Sequence, residues 1–221
     1  MKIPPENKNV DQPVSQKTIL SYVADLPNIC SLFGLFCSVL AIYFAAVGMF
    51  HAAMISMIWA VCFDWTDGII ARHLNGRTEV QGLFGAQLDS LIDIVSFGIC
   101  PAVFLLSYGS FSPWYLPGTF IIIAAAALRL SYFNVFGLVD KSSYMGMALD
   151  NNGIILVFVF LFNGLFSHST FSIILYILIL LLAALNVAPI ITPKLAGRWY
   201  YVLIMYAVMV TTVLGWQWYR I

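Results

Sequence analysis

Four of the ten acidic residues in the chain lie between positions 64 and 93: Asp64, Asp67, Asp89 and Asp93. The first two are spaced i, i+3 and the last two i, i+4, so each pair shares one face if its segment is helical. Two such faces joined by a tight turn bring the four carboxylates to one point. Carboxylate oxygens bind hard divalent cations, so we expect Mg²⁺ or Mn²⁺, with Ca²⁺ as an alternative, and no zinc.

Small residues and an arginine accompany these carboxylates. Gly68 and Ala71 continue the face of the first pair, and Gly85 precedes the second pair by one turn. Small side chains allow a helix backbone or a bulky ligand to approach closely. Arg72 can donate bidentate hydrogen bonds to a phosphate, although a lipid-surface anchor is the alternative interpretation. Together these residues indicate metal-assisted phosphoryl transfer in which one carboxylate deprotonates an attacking hydroxyl.

The complete pattern, D-x2-D-G-x2-A-R followed by G-x3-D-x3-D, resembles the motif of the CDP-alcohol phosphotransferases. Each fixed position is filled, by Asp64, Asp67, Gly68, Ala71, Arg72, Gly85, Asp89 and Asp93. The resemblance implies a helical membrane fold with a core of six spans, usually dimeric, that transfers the substituted phosphate of a CDP-linked donor to an alcohol and releases CMP. It also implies that the first three aspartates bind metal, that Asp93 is the base, and that Gly68, Ala71, Arg72 and Gly85 surround CDP. We expect Asp93 to be a metal ligand as well.

The flanks of the motif bear on the acceptor alcohol. The stretch from Ile94 to Ala102 is similar to the VSFGxxPA segment of phosphatidylserine synthases, and the resemblance covers residues 26–135. The segment Tyr144 to Gly153 departs from the GLPxP-like turn that is common in those enzymes. We expect CDP-diacylglycerol as donor and L-serine as acceptor. The alternatives are transfer to choline, inositol phosphate or glycerol phosphate and, from another class of protein, a cation transporter.

Several other polar residues have two interpretations. Asn28 is expected first to cap a helix and second to contact CDP. Arg129, within an apolar segment, either pairs with an aspartate or contacts the phosphate of the donor or the acceptor. For residues 150–152 we favour a loop or helix cap over acceptor binding, and we expect Lys194 and Arg198 to be loop anchors.

The composition places this motif in a membrane protein. The chain is 62% hydrophobic and 9% charged with a mean hydropathy of +0.93, whereas soluble domains average roughly 45–50% apolar and about 25% charged residues. The formal net charge of zero gives no case for nucleic-acid binding. We therefore predict an all-α integral membrane protein: a polar segment over residues 1–25 with an interfacial helix in 18–26, and one membrane domain over residues 26–221.

Apolar segments of about 20 residues predict a bundle of six to seven transmembrane helices. The expected spans are Ile29–Met49, a second from Phe50 into the polar stretch that starts at Asp64, Leu83–Leu106, Leu116–Val135, Gly153–Phe166, Phe171–Ile190 and Trp199–Trp216. The fifth is short, so six spans are the alternative.

Basic residues predict the orientation, because lysine and arginine are retained on the cytoplasmic side. With the N-terminus inside, the residues on that side are Lys2, Lys8, Lys17, Arg72, Arg77, Lys141, Lys194 and Arg198. Arg220 falls on the other side. The aspartates are then expected to face the cytoplasm.

Overall fold

A computed structural model describes residues 18–140, 143–195 and 197–220 of the chain. Lys2, Lys8, Lys17 and Lys141, and most of the polar segment 1–25, lie outside the described residues. The described α-helices are α1 (Ile19–Val23), α2 (Leu26–Ala46), α3 (Phe50–His73), α4 (Glu79–Asp93), α5 (Cys100–Tyr108), α6 (Leu116–Phe136), α7 (Asp150–Phe160), α8 (His168–Val187) and α9 (Trp199–Tyr219). A π-helix, Ile94–Ile99, joins α4 to α5, and 3₁₀ turns cover Pro113–Tyr115 and Asn163–Leu165.

Six helical segments within the described residues are long and apolar enough to cross a membrane, which confirms an all-α integral membrane bundle. They are Leu26–Ala46, Phe50–His73, Glu79–Tyr108, Pro113–Phe136, His168–Val187 and Trp199–Tyr219. The seventh apolar element, Asp150–Leu165, is shorter. It lies beside α3 between Trp65 and His51, because Asp150 contacts Trp65 and the ring of Phe160 lies 5.4 Å from that of His51 near the start of α3.

Four helices begin three or four residues earlier than the expected spans, namely α2, α4, α7 and α8. α2 begins at Leu26 rather than Ile29 because Pro27 is accommodated in the first helical turn, where its missing N–H has no helical partner. The cap position is Asp25, so the expectation that Asn28 caps this helix is wrong. α4 begins at Glu79 rather than Leu83, since Thr78 and Gln81 form a reciprocal capping box.

The turn between α3 and α4 is tied to the start of α2. Arg77 forms an ion pair with Asp25, with 2.7 Å between Nη2 and Oδ2, and Nη2 of Arg77 also donates to the carbonyl of Gln81 at 3.2 Å. The Ser31 hydroxyl of α2 donates to the Asp67 carboxylate of α3. These contacts hold the α3–α4 turn and the aspartate-bearing part of α3 against α2.

The segment after Asp93 is a π-helix, a wider turn that leaves regular α-helical hydrogen bonding. The carbonyl of Phe97 in this segment accepts a hydrogen bond from Asn152 Nδ2 of α7 at 3.0 Å. Asn152 and Asn186 of α8 exchange hydrogen bonds between their side-chain amides, at 3.0 and 3.2 Å, and both residues are buried. One amide pair thus links the helix that carries Asp93 to α7 and α8.

A short antiparallel sheet closes the aspartate end. Strand β1 (Ser143–Met145) pairs with β2 (Ile191–Pro193), with Tyr144 opposite Thr192. Gly146 follows β1 with φ +74°, and a Cβ atom there would collide with the carbonyl oxygen of Asn186. The sheet brings the α6–α7 and α8–α9 connections together beside the aspartates.

Candidate active site

Three aspartates converge where α3 and α4 face each other. One carboxylate oxygen from each of Asp64, Asp89 and Asp93 lies within 4.8 Å of the others. Oxygen ligands bind Mg²⁺ or Ca²⁺ at about 2.0–2.6 Å, so two ligands of one ion are separated by up to about twice that distance. Oδ1 of Asp93 is buried without a hydrogen-bond partner among the described residues, which leaves it available to a cation. The donor set therefore fits a hard divalent cation and not zinc.

Asp67 lies in the same cavity but outside this group of three. It is buried, and its carboxylate accepts a hydrogen bond from Ser31. That hydroxyl also lies 3.1 Å from the carbonyl of Pro27. Asp67 is thus fixed in position by α2, and its role as a further metal ligand stays a prediction.

The aspartates line a cavity of about 220 Å³ at the end of the bundle. Its walls come from the C-terminal half of α3, from α4 and α6, from the start of α7, and from the segment that links β2 to α9. The wall contains carboxylates together with the basic residues Arg72, Arg129 and Lys194. Such a cavity suits an anionic ligand that a divalent cation also contacts.

The residues expected around CDP divide into two sets. Gly68 and Arg72 line the cavity, whereas Ala71, Gly85 and Asn28, all described residues, are not part of its wall. A Cβ atom at Gly85 would lie 2.8 Å from Nη2 of Arg77 and 2.9 Å from Oδ1 of Asn28. Gly85 is therefore small because the helix passes against this pair of side chains.

Asn28 is buried, and its Nδ2 donates to the carbonyl of Tyr22 at 2.8 Å. This hydrogen bond ties α2 to α1 and gives the residue a structural role beside the cavity. Contact with CDP stays a prediction for Asn28.

Arg129 is 6% exposed and lies in the cavity wall. Its guanidinium carbon is 5.3 Å from the ring centre of Phe133 and 5.1 Å from that of Tyr144. Its Nε has no hydrogen-bond partner among the described residues. The described residues contain one ion pair, Asp25 with Arg77, but the charges of Asp150 and Asp93 act on the Arg129 guanidinium. Pairing with an aspartate and contact with a phosphate therefore both stay predictions for Arg129.

Several cavity residues were missed or assigned other roles from the sequence. Asp150, expected in a loop or cap, is the first residue of α7, and its carboxylate accepts from Trp65 Nε1 at 2.7 Å. The cap of α7 is Leu149. Lys194, expected to be a loop anchor, lines the cavity, as do Tyr144 and the start of α9 at Tyr200.

Tyr144 and Lys194 are placed by the β1–β2 sheet, and the ammonium of Lys194 lies 5.7 Å from the Tyr144 ring centre. Burial raises the pKa of the Tyr144 hydroxyl to about 12, so this group is a neutral hydrogen-bonding partner at pH 7. Burial, and then the positive charge of Arg72, lowers the pKa of Lys194. The one sequence signal for this wall was the cluster of polar residues that interrupts the apolar pattern at 150–152.

Comparison with known proteins agrees with the motif. A family described as CDP-alcohol phosphatidyltransferase matches residues 24–214. An archaetidylserine synthase from Methanothermobacter thermautotrophicus is 38% identical over 124 residues, which cover 55% of this chain and 52% of that protein. A CDP-diacylglycerol–serine O-phosphatidyltransferase from Methanocaldococcus jannaschii is 33% identical over 123 residues, covering 55% of this chain and 57% of the relative.

A CDP-diacylglycerol–serine O-phosphatidyltransferase from Bacillus subtilis is 29% identical over 140 residues, which cover 60% of this chain and 73% of the relative. The matched region thus spans little more than half the length of the two archaeal relatives and a larger share of the bacterial one.

Proposed function

The chain belongs to the CDP-alcohol phosphatidyltransferase family, and on that premise we propose that it transfers the phosphatidyl group of CDP-diacylglycerol to L-serine, forming phosphatidylserine and CMP. The observation that carries the proposal is the convergence of Asp64, Asp89 and Asp93 in a cavity that also contains Arg72 and Arg129. The names of the matched relatives support serine as the acceptor.

In this reaction the serine hydroxyl oxygen forms a bond to the phosphorus atom that carries diacylglycerol. The bond between that phosphorus and the bridging diphosphate oxygen breaks, and CMP leaves with this oxygen. We assign the hydroxyl proton to the Asp93 carboxylate, the base that the family resemblance implies.

We propose that Asp64, Asp67, Asp89 and Asp93 hold one or two divalent ions, Mg²⁺ or Mn²⁺, with Ca²⁺ as the alternative. A divalent cation at this position offsets the charge of the diphosphate and of the oxygen that leaves with CMP. The convergence of Asp64, Asp89 and Asp93 supports a shared ion, and the hydrogen bond from Ser31 to Asp67 supports a role for that carboxylate beside them.

The nucleotide end of the donor is assigned to the neighbouring part of the site. Arg72 and Gly68 line the cavity and contact the diphosphate in this proposal, because an arginine fork matches phosphate oxygens. Ala71, Gly85 and Asn28 lie next to them at the junction of α2, α3 and α4, and we assign them to the cytidine end.

The direct test is to incubate the purified protein with CDP-diacylglycerol, Mn²⁺ and labelled L-serine. Equal amounts of CMP and labelled phosphatidylserine are expected. The absence of both products would contradict the proposal.

Parallel reactions with choline, inositol phosphate and glycerol phosphate decide among acceptors. CMP release with one of these alcohols and not with serine would identify that alcohol as the acceptor. The family assignment favours an enzyme over the cation transporter.

We also propose that the active site faces the cytoplasm and that the protein forms a homodimer in membrane lipid. The first rests on the basic residues at the aspartate end of the bundle, which include Arg72, Arg77 and Lys194. The second rests on the family resemblance alone. Cross-linking in native membranes tests the homodimer. Recovery of the monomer alone, with no cross-linked dimer, would contradict it.

A further inference from the structure

Two opposite charges face the cavity without pairing with each other. Asp150, at the start of α7, accepts one hydrogen bond from Trp65 Nε1. Arg129, on α6, is almost entirely buried, and its Nε has no hydrogen-bond partner in the part of the chain that the structure describes. Both line the cavity, yet they form no ion pair, as the salt bridge of Asp25 with Arg77 is the one found over the described ranges.

The separation of Asp150 from Arg129 costs free energy when the cavity holds no ligand. A buried charge is stable only when it is paired or fully hydrogen-bonded. The charges of Arg129 and Asp150 attract each other, but among the described residues no ion pair of 4 Å or less joins either of them to an opposite charge. A ligand that carries both charges, held a short distance apart, would satisfy both groups at once. Free L-amino acids have this charge distribution, whereas choline, glycerol phosphate and inositol phosphate do not.

We propose that Asp150 and Arg129 are the acceptor-selecting pair, in which Asp150 binds the ammonium group of a zwitterionic amino acid and Arg129 binds its carboxylate. The inference rests on the proposed transfer reaction and assigns its acceptor to the amino-acid class. The aromatic rings of Phe133 and Tyr144 hold the Arg129 guanidinium from two sides, which fixes its direction. The hydrogen bond from Trp65 Nε1 fixes the direction of the Asp150 carboxylate.

Two truncated acceptors separate the contributions of the two charges. 3-Hydroxypropionate lacks the ammonium group of serine, and ethanolamine lacks the carboxylate. With the wild-type protein, CDP-diacylglycerol and Mn²⁺, we expect kcat/KM for serine to exceed that for each analogue by about tenfold or more, the usual cost of an unpaired buried charge.

Substitution of Asp150 or Arg129 should weaken the use of acceptors that carry the group bound by that residue and leave the use of the other truncated acceptor unchanged. Asp150→Asn keeps an oxygen for Trp65 and should raise KM for serine by about tenfold with little change in kcat, while turnover of 3-hydroxypropionate is retained. Arg129→Gln should reduce serine turnover and leave ethanolamine turnover unchanged. Turnover of the truncated acceptor reports that each variant is folded. Glu79→Gln and Arg220→Gln, at exposed positions outside the cavity, are the matched controls and should behave as wild type.

The outcomes distinguish this inference from the reaction on which it rests. If no acceptor supports CMP release by the wild type, the proposed function fails. If serine supports release but the wild type uses the three acceptors equally well, the inference is overturned, whether or not the variants fold. It is also overturned if Asp150→Asn or Arg129→Gln lowers turnover of all acceptors by the same factor, since that result assigns the residue to the donor phosphate or to the fold.

Discussion

Asp93 differs from the other carboxylates of the cavity in having a buried oxygen, Oδ1, that no described protein group hydrogen-bonds. Asp67, by comparison, is held by Ser31. A carboxylate that must both contact a cation and accept a proton needs an oxygen free of fixed donors. The side-chain environments of Asp67 and Asp93 therefore differ, although the two residues have the same chemistry in the sequence.

The base assignment predicts that Asp93→Asn lowers kcat by about 10²–10⁴-fold, the range for loss of general base catalysis. The amide has nearly the same shape, so the thermal unfolding midpoint in detergent should change little. CMP release is the measurement, and Glu79→Gln is the control carboxylate. Turnover by Asp93→Asn at the wild-type rate would contradict the assignment of Asp93 as the base.

Metal binding can be measured without turnover. Titration of Mn²⁺ into chelator-treated protein, followed by the electron paramagnetic resonance signal of free Mn²⁺, should give saturable binding. Asp89→Asn removes one charged ligand of the group of three and should weaken Mn²⁺ affinity by about tenfold or more. Glu79→Gln should leave it unchanged. Equal affinity in wild type and Asp89→Asn would contradict a cation site at these carboxylates.

At the scale of elements, the β1–β2 sheet depends on a close approach at Gly146. Gly146 and Gly48 both have positive φ, +74° and +78°. A Cβ atom at Gly48 meets nothing within 4 Å, whereas one at Gly146 collides with the carbonyl of Asn186. Asn186 in turn forms the buried amide pair with Asn152.

These two glycines form a matched pair for substitution. Gly48→Ala should destabilise the protein by about 1–2 kcal/mol, the cost of the backbone conformation. Gly146→Ala adds overpacking and should cost about 2–5 kcal/mol in total. It should also raise KM for serine, since β1 carries Tyr144. Thermal unfolding midpoints and acceptor kinetics give the comparison. Equal shifts for both variants would show that contact with Asn186 does not matter.

The helices could be predicted from the sequence because their determinants are local. Apolar length gave the spans, and i, i+3 and i, i+4 spacing placed the aspartates on facing sides of α3 and α4. The starts of α2 and α4 were misplaced by three and four residues, since Pro27 and the Thr78 capping box extend each helix into polar sequence.

The part of the cavity wall that we assign to the acceptor could not be predicted in this way. Tyr144, Asp150 and Lys194 reach the cavity through pairing between β1 and β2, which are distant in sequence. Neither strand has a periodic pattern long enough to be recognised, because each has only three residues. Of the two residues that select the acceptor in our proposal, Asp150 is therefore the one for which the sequence alone favoured a loop or cap role.

At the scale of the whole molecule, the two ends of the bundle differ in charge. The aspartate end carries the exposed residues Arg72 and Arg198 and the partly buried Arg77 and Lys194, whereas Arg220 follows α9 at the opposite end. The opposite end is instead aromatic, with Tyr108 stacked on His168 at 4.4 Å. This asymmetry predicts a single orientation in which the aspartate end is cytoplasmic.

Cysteine labelling tests the orientation directly. Asn75 is exposed in the α3–α4 turn, and Ser110 is exposed after α5 at the other end of the bundle. In a background in which the four native cysteines are replaced by alanine, Asn75→Cys should react with a membrane-impermeant maleimide in inverted vesicles and resist it in intact spheroplasts. Ser110→Cys should show the reverse. Labelling of Asn75→Cys from outside intact cells would place the aspartates on the outer side of the membrane.

CDP-diacylglycerol and serine would then have to reach the site from outside the cell, where a cytidine-activated donor has no evident supply. The orientation is therefore a condition of the proposed reaction as well as a consequence of the charge distribution.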